Sequence, residues 1–362
     1  MTRPIGYYVH HHGDGHWQRA LAIARHAEGR MTLLGTGLSG RTGDVPAIDL
    51  PDDRLPDTAF GSDDGMVRPE ALHYAPLDHD GIRQRVAMIA GWIARHRPSL
   101  MIVDVSAEVA MLSRLASVPT VYVRLGGRRD DAAHREAFRG AAALLAPFHP
   151  LLDDPDISTA VRDATLYAPG LTARPPIGIA DETVVLGVVG KGGGAGGGAG
   201  GGADGGMTDG ERWAAAARAC PAYRWRVIGP CTVLATPPDN LELLGWIGDA
   251  DREIAAAGIV VGAAGDGLVG AVIAARKRFV CIPEPRPFDE QTSKADRLSA
   301  LGAAVVVNAW PEPERWPALF QQARRIDPHI LARLDDPDGC RQAAARLIAI
   351  ADGTSLDTRR IA

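Results

Sequence analysis

Short, β-rich apolar runs alternate with helix-patterned stretches along almost the whole chain, and this alternation restricts the fold more tightly than any other feature. Successive parallel strands need a crossover between them, and a helix supplies it. Repeated strand–helix units therefore build open parallel sheets covered on both faces. In the first half, Ile5 to Val9, Met31 to Leu34, Leu100 to Val103, Thr120 to Val123 and Leu144 to Ala146 read as buried strands. Ile82, Val86, Ile89 and Ile93 recur at spacings of four, three and four, the period of one helix face, and Pro98 ends that helix. In the second half the strands are expected at Thr183 to Val189, Trp225 to Ile228, Leu241 to Leu244, Ile259 to Gly262, Phe279 to Ile282 and Ala304 to Val307. Helices are expected over Asp209 to Ala219, Ala250 to Ala257, Gly267 to Ala275 and Gln291 to Leu301.

The fold class that follows is α/β, with two doubly wound, Rossmann-like domains facing a central cleft. A chain of 362 residues suits this count, since a domain averages roughly 150 residues. The first domain is expected over 1–166, and a linker carrying Pro169, Pro175 and Pro176 over 167–180. The second domain is expected over 181–340, and a final helix and polar tail over 341–362 are placed to cross back onto the first. Between Gly190 and Gly206, 12 of 17 positions are glycine. Such a run has no side chains to bury and loses most entropy on ordering, so its centre is predicted to be a flexible surface loop.

Composition narrows the function. A net charge of −5 gives no general attraction to polyanions, which makes nucleic acid an unsuitable partner. Cys220, Cys231, Cys281 and Cys340 are scattered with no CxxC pair, so neither a disulfide framework nor a cysteine zinc site is expected, and a reducing cytoplasm fits. No apolar run reaches the roughly 18 to 20 residues of a membrane span, and Met1 to Gly6 lacks the pattern of a signal peptide.

The densest chemistry is His10-His11-His12-Gly13-Asp14-Gly15-His16, directly after the first strand and before a helix through Arg19 to Ala27. Gly13 and Gly15 permit a sharp turn and close approach by a ligand, and the helix start offers free N–H groups. A metal site is one reading of the four histidines, but if the strand continued, His11 would point opposite to His10 and His12. Capping of the strand by some of them is another. For His16 general-base chemistry is favoured, since an imidazole of reference pKa about 6.5 suits a hydroxyl at neutral pH. Asp104 ends the strand Leu100 to Val103 at the same sheet edge, so it either orients His16 or caps the helix that follows, beside Ser106.

With these residues in view, the chain resembles the GT-B glycosyltransferases, in particular MurG-like and nucleotide-sugar-dependent enzymes. Gly15-His16 with Arg19 resembles their first loop, whose histidine is the base, and Asp104 stands where they place its aspartate. Gly245-Trp246-Ile247 resembles the segment that holds the nucleotide base. Gly262 to Gly267, with Gly265, Asp266 and Gly267 at the helix start, resembles the turn under the donor diphosphate. Pro283 to Gln291, ending in Glu290 and Gln291, resembles the loop that grips the donor sugar. Lys191, at the mouth of the glycine run, is a second phosphate candidate.

The resemblance implies an inverting, metal-independent transfer of a hexosyl group from a nucleotide-diphosphate sugar, a UDP-sugar being favoured, to an acceptor hydroxyl. The acceptor, a small molecule or a lipid-linked one, would sit in the first domain, with Arg19 helping to hold it or a phosphate. No cofactor beyond the co-substrate is implied. A nucleotide-sugar 2-epimerase uses the same architecture and is the alternative enzyme. A third reading is a non-catalytic sugar-nucleotide-binding or partner protein: the family's ribose-gripping glutamate is Ala271 here, and its motif-opening histidine is Ala263.

Overall fold

The computed structural model describes residues 2–11, 14–54, 68–172, 174, 180–190 and 206–354. Of the expected features, His12, Gly13, Lys191, residues 175–179 of the linker and 191–205 of the glycine run lie outside these.

The first half is β1 (Ile5–Val9), α1 (Asp14–Ala24), β2 (Met31–Gly35), β3 (Ala47–Asp49), α2 (Asp80–His96), β4 (Leu100–Asp104), α3 (Ala107–Leu115), β5 (Thr120–Val123), α4 (Ala132–Gly140), β6 (Ala143–Ala146), α5 (Thr159–Asp163) and β7 (Thr165–Tyr167). The second is β8 (Asp181–Val188), α6 (Gly210–Ala219), β9 (Arg224–Ile228), β10 (Leu241–Gly245), α7 (Ala250–Ala256), β11 (Ala257–Gly262), α8 (Asp266–Ala274), β12 (Arg278–Cys281), α9 (Glu290–Ala300), β13 (Val305–Val306), α10 (Trp316–Arg324), α11 (Pro328–Leu334) and α12 (Gly339–Ala351).

The strands form two parallel sheets, one ordered β3-β2-β1-β4-β5-β6-β7 and the other β10-β9-β8-β11-β12-β13. Both are doubly wound in the same way. The chain runs outward from β1 to β3, then returns to the other side of β1 with β4; β8 and β11 repeat this in the second sheet. Each sheet therefore has one switch point, between the carboxyl ends of β1 and β4 and between those of β8 and β11, where open α/β sheets leave a crevice.

Burial follows from the strands' composition. All residues of β1, β4, β5, β6 and β11 are buried, as expected of continuous apolar runs covered on both faces. The short edge strands β3 and β7 escape the sequence pattern: each has three residues, and β3 is largely exposed. The face of α2 also differs from expectation. Ile89 and Ile93 are buried, but Val86 is exposed, and the inner face carries Trp92 and Arg85. Arg85 is held there by the Tyr8 hydroxyl at 2.6 Å and the Pro51 carbonyl at 2.8 Å, polar partners that an apolar periodicity does not reveal.

The two halves exchange packing. Ala343, Ala344 and Leu347 of α12 lie in one core with Ala20, Leu21, Ile23 and Ala24 of α1, and Arg30 pairs with Asp352 at 2.7 Å. In the other direction, Phe148 and Leu152, after β6, pack into the core formed by β8, β11 and α8.

Candidate functional site

β1 ends at Val9, so His10 and His11 are not alternating strand positions. Their rings lie 5.0 Å apart, side by side, and His10 meets the His16 ring edge-on at 5.3 Å. His11 Nδ1 is 3.3 Å from an Asp53 carboxylate oxygen.

His16 is the third residue of α1, and Asp104 is the last of β4, so the first switch point brings them together. His16 Nδ1 lies 2.9 Å from Asp104 Oδ2. Arg19, one turn further along α1, donates from Nη2 to both oxygens of Asp104 at 2.9 Å. Arg19 Nη2 also stands 3.1 Å from His16 Nδ1. Both nitrogens cannot be donors to each other, and the carboxylate is the stronger acceptor. The consistent assignment has Nδ1–H and Nη2–H both donating to Asp104, which leaves the lone pair of His16 on Nε2.

Asp104 is completely buried. Burial pushes its carboxyl up, but Arg19 and then His16 outweigh this and hold it at about 2. The alternative of a helix cap does not apply: Ser106 is the N-cap of α3, accepting from Val109 N at 3.2 Å. Val105, between them, has φ of 48°, a rare backbone for a β-branched residue and an instance of strain beside a buried charge. Arg19 is itself buried and committed to Asp104, so it supports the pair rather than offering a free cation to an acceptor or phosphate.

At the second switch point α8 starts without a side-chain cap, behind Gly265. The space where side chains of Gly265 and Gly267 would begin is open, as it is at Gly15 of α1. Unpaired N–H groups at an accessible helix start favour an anion. Asp266, the first residue of α8, is engaged by the Lys294 ammonium. Burial raises the carboxyl of Asp266, and Lys294, then Arg19, then His16 pull it below its ordinary value, so the charges of the two switch points act on each other across the cleft.

Lys294 was not singled out in the sequence, although a signal exists. Gln291, Lys294, Ala295 and Leu298 form the buried stripe of α9, and two polar residues on an inner face mark a built polar site. Gln291 Oε1 accepts from Ala264 N at 3.1 Å and from Glu284 N at 2.8 Å, tying the turn before α8 to the loop before α9. Glu290 accepts from Arg129 Nη2 of the first half at 3.0 Å.

Trp246 follows β10 and is 58% exposed, while Ile247 packs partly into the second core. Ala271 is buried in that core. Among the described residues, two groups have metal-ligand spacing: His11 with Asp52 and Asp53, and His73 with Asp131 and His134. Arginines stand on both. Arg85 and Arg54 pair with Asp53 and Asp52, and Arg129 donates to His134 Nε2, which puts the His134 proton on Nδ1, facing Asp131.

A scan against protein-family models finds no match, and a search of curated proteins finds none either. Solved structures do match. The glycosyltransferase of kitacinnamycin superposes with a TM-score of 0.65 at 15% identity over 98% of both chains. MurG of Acinetobacter baumannii gives 0.58 at 15% over 96% of this chain and 99% of its own. The glycosyltransferase VinC, solved in complex with dTDP, gives 0.62 at 15% over 97% of this chain and 100% of its own. The protein thus has the two-domain α/β GT-B fold, over nearly its full length.

Proposed function

We propose that the protein is a glycosyltransferase that carries a hexosyl group from a nucleotide-diphosphate sugar to an acceptor hydroxyl, with inversion and without a metal ion. The observation that carries this is the His16–Asp104 contact of 2.9 Å at the first switch point, across the cleft from the uncapped start of α8. Asp104 fixes the Nδ1–H tautomer and stabilises the imidazolium that forms, and Nε2 removes the acceptor proton as the oxygen attacks the anomeric carbon. The departing diphosphate develops negative charge opposite the N–H groups around Gly265 to Gly267. The nucleotide base lies along Trp246 and Ile247, and Glu290 faces the sugar. The fold likeness supports this reading, as do the two neighbours solved with thymidine diphosphate, VinC and SpnG.

A second reading, nucleotide binding without transfer, is favoured by the buried Ala271 and by Asp266 at the phosphate turn. One experiment separates them. The protein is melted with UDP, dTDP and their glucose conjugates, with and without EDTA, and each binding conjugate is then incubated with an acceptor library. A ligand at about 100 times its Kd adds about 2.7 kcal/mol to stability. An EDTA-insensitive shift is expected in the wild type and in His16→Ala alike, with glucosylated product formed by the wild type and lost in His16→Ala. A shift without product supports the binding protein, and no shift with any nucleotide sinks both.

A further inference from the structure

The loop that carries Glu290 is built against the other half of the molecule. Phe288 and Asp289 both have left-handed backbones, with φ of 63° and 53°, which non-glycine residues adopt only when their surroundings hold them. The holder is the segment after β5. Arg128 N donates to the Phe288 carbonyl at 2.8 Å, and a Cβ at Gly127, whose φ is 88°, would lie 2.2 Å from that carbonyl oxygen. Only glycine fits there.

Arg129 then reaches across. Its Nη2 donates to Glu290 Oε2 at 3.0 Å, its Nη1 to His134 Nε2 at 3.1 Å, and its Nε to the Gly126 carbonyl at 3.1 Å, with the guanidinium 5.0 Å from the centre of the Phe288 ring. Behind it, His134 donates to Asp131, which also accepts from His73 Nε2 at 2.8 Å. The side chain of Arg129 is 7% exposed and that of Glu290 21%, so this is a part-buried contact and not a surface ion pair.

We propose that Arg129 is a positioning residue: from the acceptor half it holds Glu290 and the Phe288 turn, so the sugar-binding carboxylate of the donor half is in register only when the two halves are latched. This rests on the reading of Glu290 as the residue that faces the donor sugar. With Oε2 held by Arg129, Oε1 is the oxygen left for a sugar hydroxyl. Sugar recognition and cleft closure are then one event, while the nucleoside diphosphate binds the donor half by itself.

The test uses the full chain, as wild type, Arg129→Ala, Arg129→Lys, Glu290→Gln and the Arg129→Ala/Glu290→Gln double variant. Hydrogen exchange without ligand is read for peptides spanning 125–134 and 283–291, and affinities for UDP, dTDP, UDP-glucose and dTDP-glucose are measured by calorimetry. Arg129→Ala is expected to speed exchange in both peptides by about tenfold or more, leaving β8 and β11 protected. It should weaken the glucose conjugate about tenfold while the bare diphosphate stays within about twofold, Arg129→Lys should recover part of the loss, and the double variant should lose no more than either single one. Equal loss for diphosphate and conjugate, or wild-type exchange in 283–291, overturns the proposal. If Arg129→Ala does not fold, Glu290→Gln, which removes the charge of the pair from its more exposed side, is judged by the exchange readout alone, because it also alters the sugar-facing carboxylate. If the wild type binds none of the four ligands, the transferase reading fails, and the latch stands or falls on the exchange result alone.

Discussion

The two switch points have the same topology and use it differently. Between β1 and β4 the chemistry is carried by side chains: an imidazole, a carboxylate and a guanidinium packed into one buried, mutually neutralising group. Between β8 and β11 the accessible groups are backbone N–H donors over open glycines, while Gln291 and Lys294 are occupied in holding the surrounding loops and Asp266. Loss of a side chain should therefore remove chemistry at the first point and disturb loop geometry at the second.

The sharpest test of that contrast is His16→Ala. On the reading proposed, transfer falls by about 10²- to 10⁴-fold in steady-state assays while affinity for the nucleoside diphosphate changes less than about twofold. A loss below about tenfold would show that the first switch point does not carry the base.

Asp104→Asn comes next. It leaves Arg19 buried without a counter-charge, and denaturant unfolding should show a loss of about 3 to 5 kcal/mol. Adding Arg19→Met should restore much of this. If the single variant is as stable as the wild type, the group at the first point is not the coupled unit described.

Acid should act chiefly on the contact between the halves. Burial holds His134 down at about 4, against Asp131, which pulls it up. Because the folded state keeps this imidazole neutral and the unfolded chain protonates it near 6.5, stability falls as pH drops from 6.5 towards 4, by roughly 3 kcal/mol. In His134→Gln that part of the pH dependence should vanish from thermal melts across this window. A slope unchanged by the substitution would remove His134 from the account.

The smallest effect on the fold is expected at Trp246→Ala. The residue is exposed, so stability should stay within about 0.5 kcal/mol, and calorimetry should show weaker nucleotide binding. A large fall in melting temperature would instead make Trp246 structural.

Much of this was legible in one dimension. The central strands declared themselves as continuous apolar runs, and β1 and β5 fall on the expected residues. His16 and Asp104 stood out because one lies in the histidine-rich turn that follows a buried strand and the other at the end of a second such strand, and that placement brings them to one sheet edge. The edge strands β3 and β7 stayed hidden because three residues carry no period. The inner face of α2 was misjudged at Val86 because Arg85 is held by partners on β1 and on the loop after β3.

What the sequence determined by itself is local: where strands and helices form, where glycines permit turns, and which side chains stand at the strand ends. These depend on residues within a few turns of one another. Tertiary structure alone decided that β4 lies beside β1 and β11 beside β8, that Arg19 serves Asp104, that Ser106 takes the cap, that Lys294 meets Asp266, and that Arg129 holds Glu290. Most of these pairings join residues far apart in the chain, and Ser106 is known as the cap only once Asp104 is seen turned toward Arg19. Burial is the physical reason, because a charge or amide taken out of water accepts whatever partner the packing brings within hydrogen-bond reach, and packing has no period for a sequence to display.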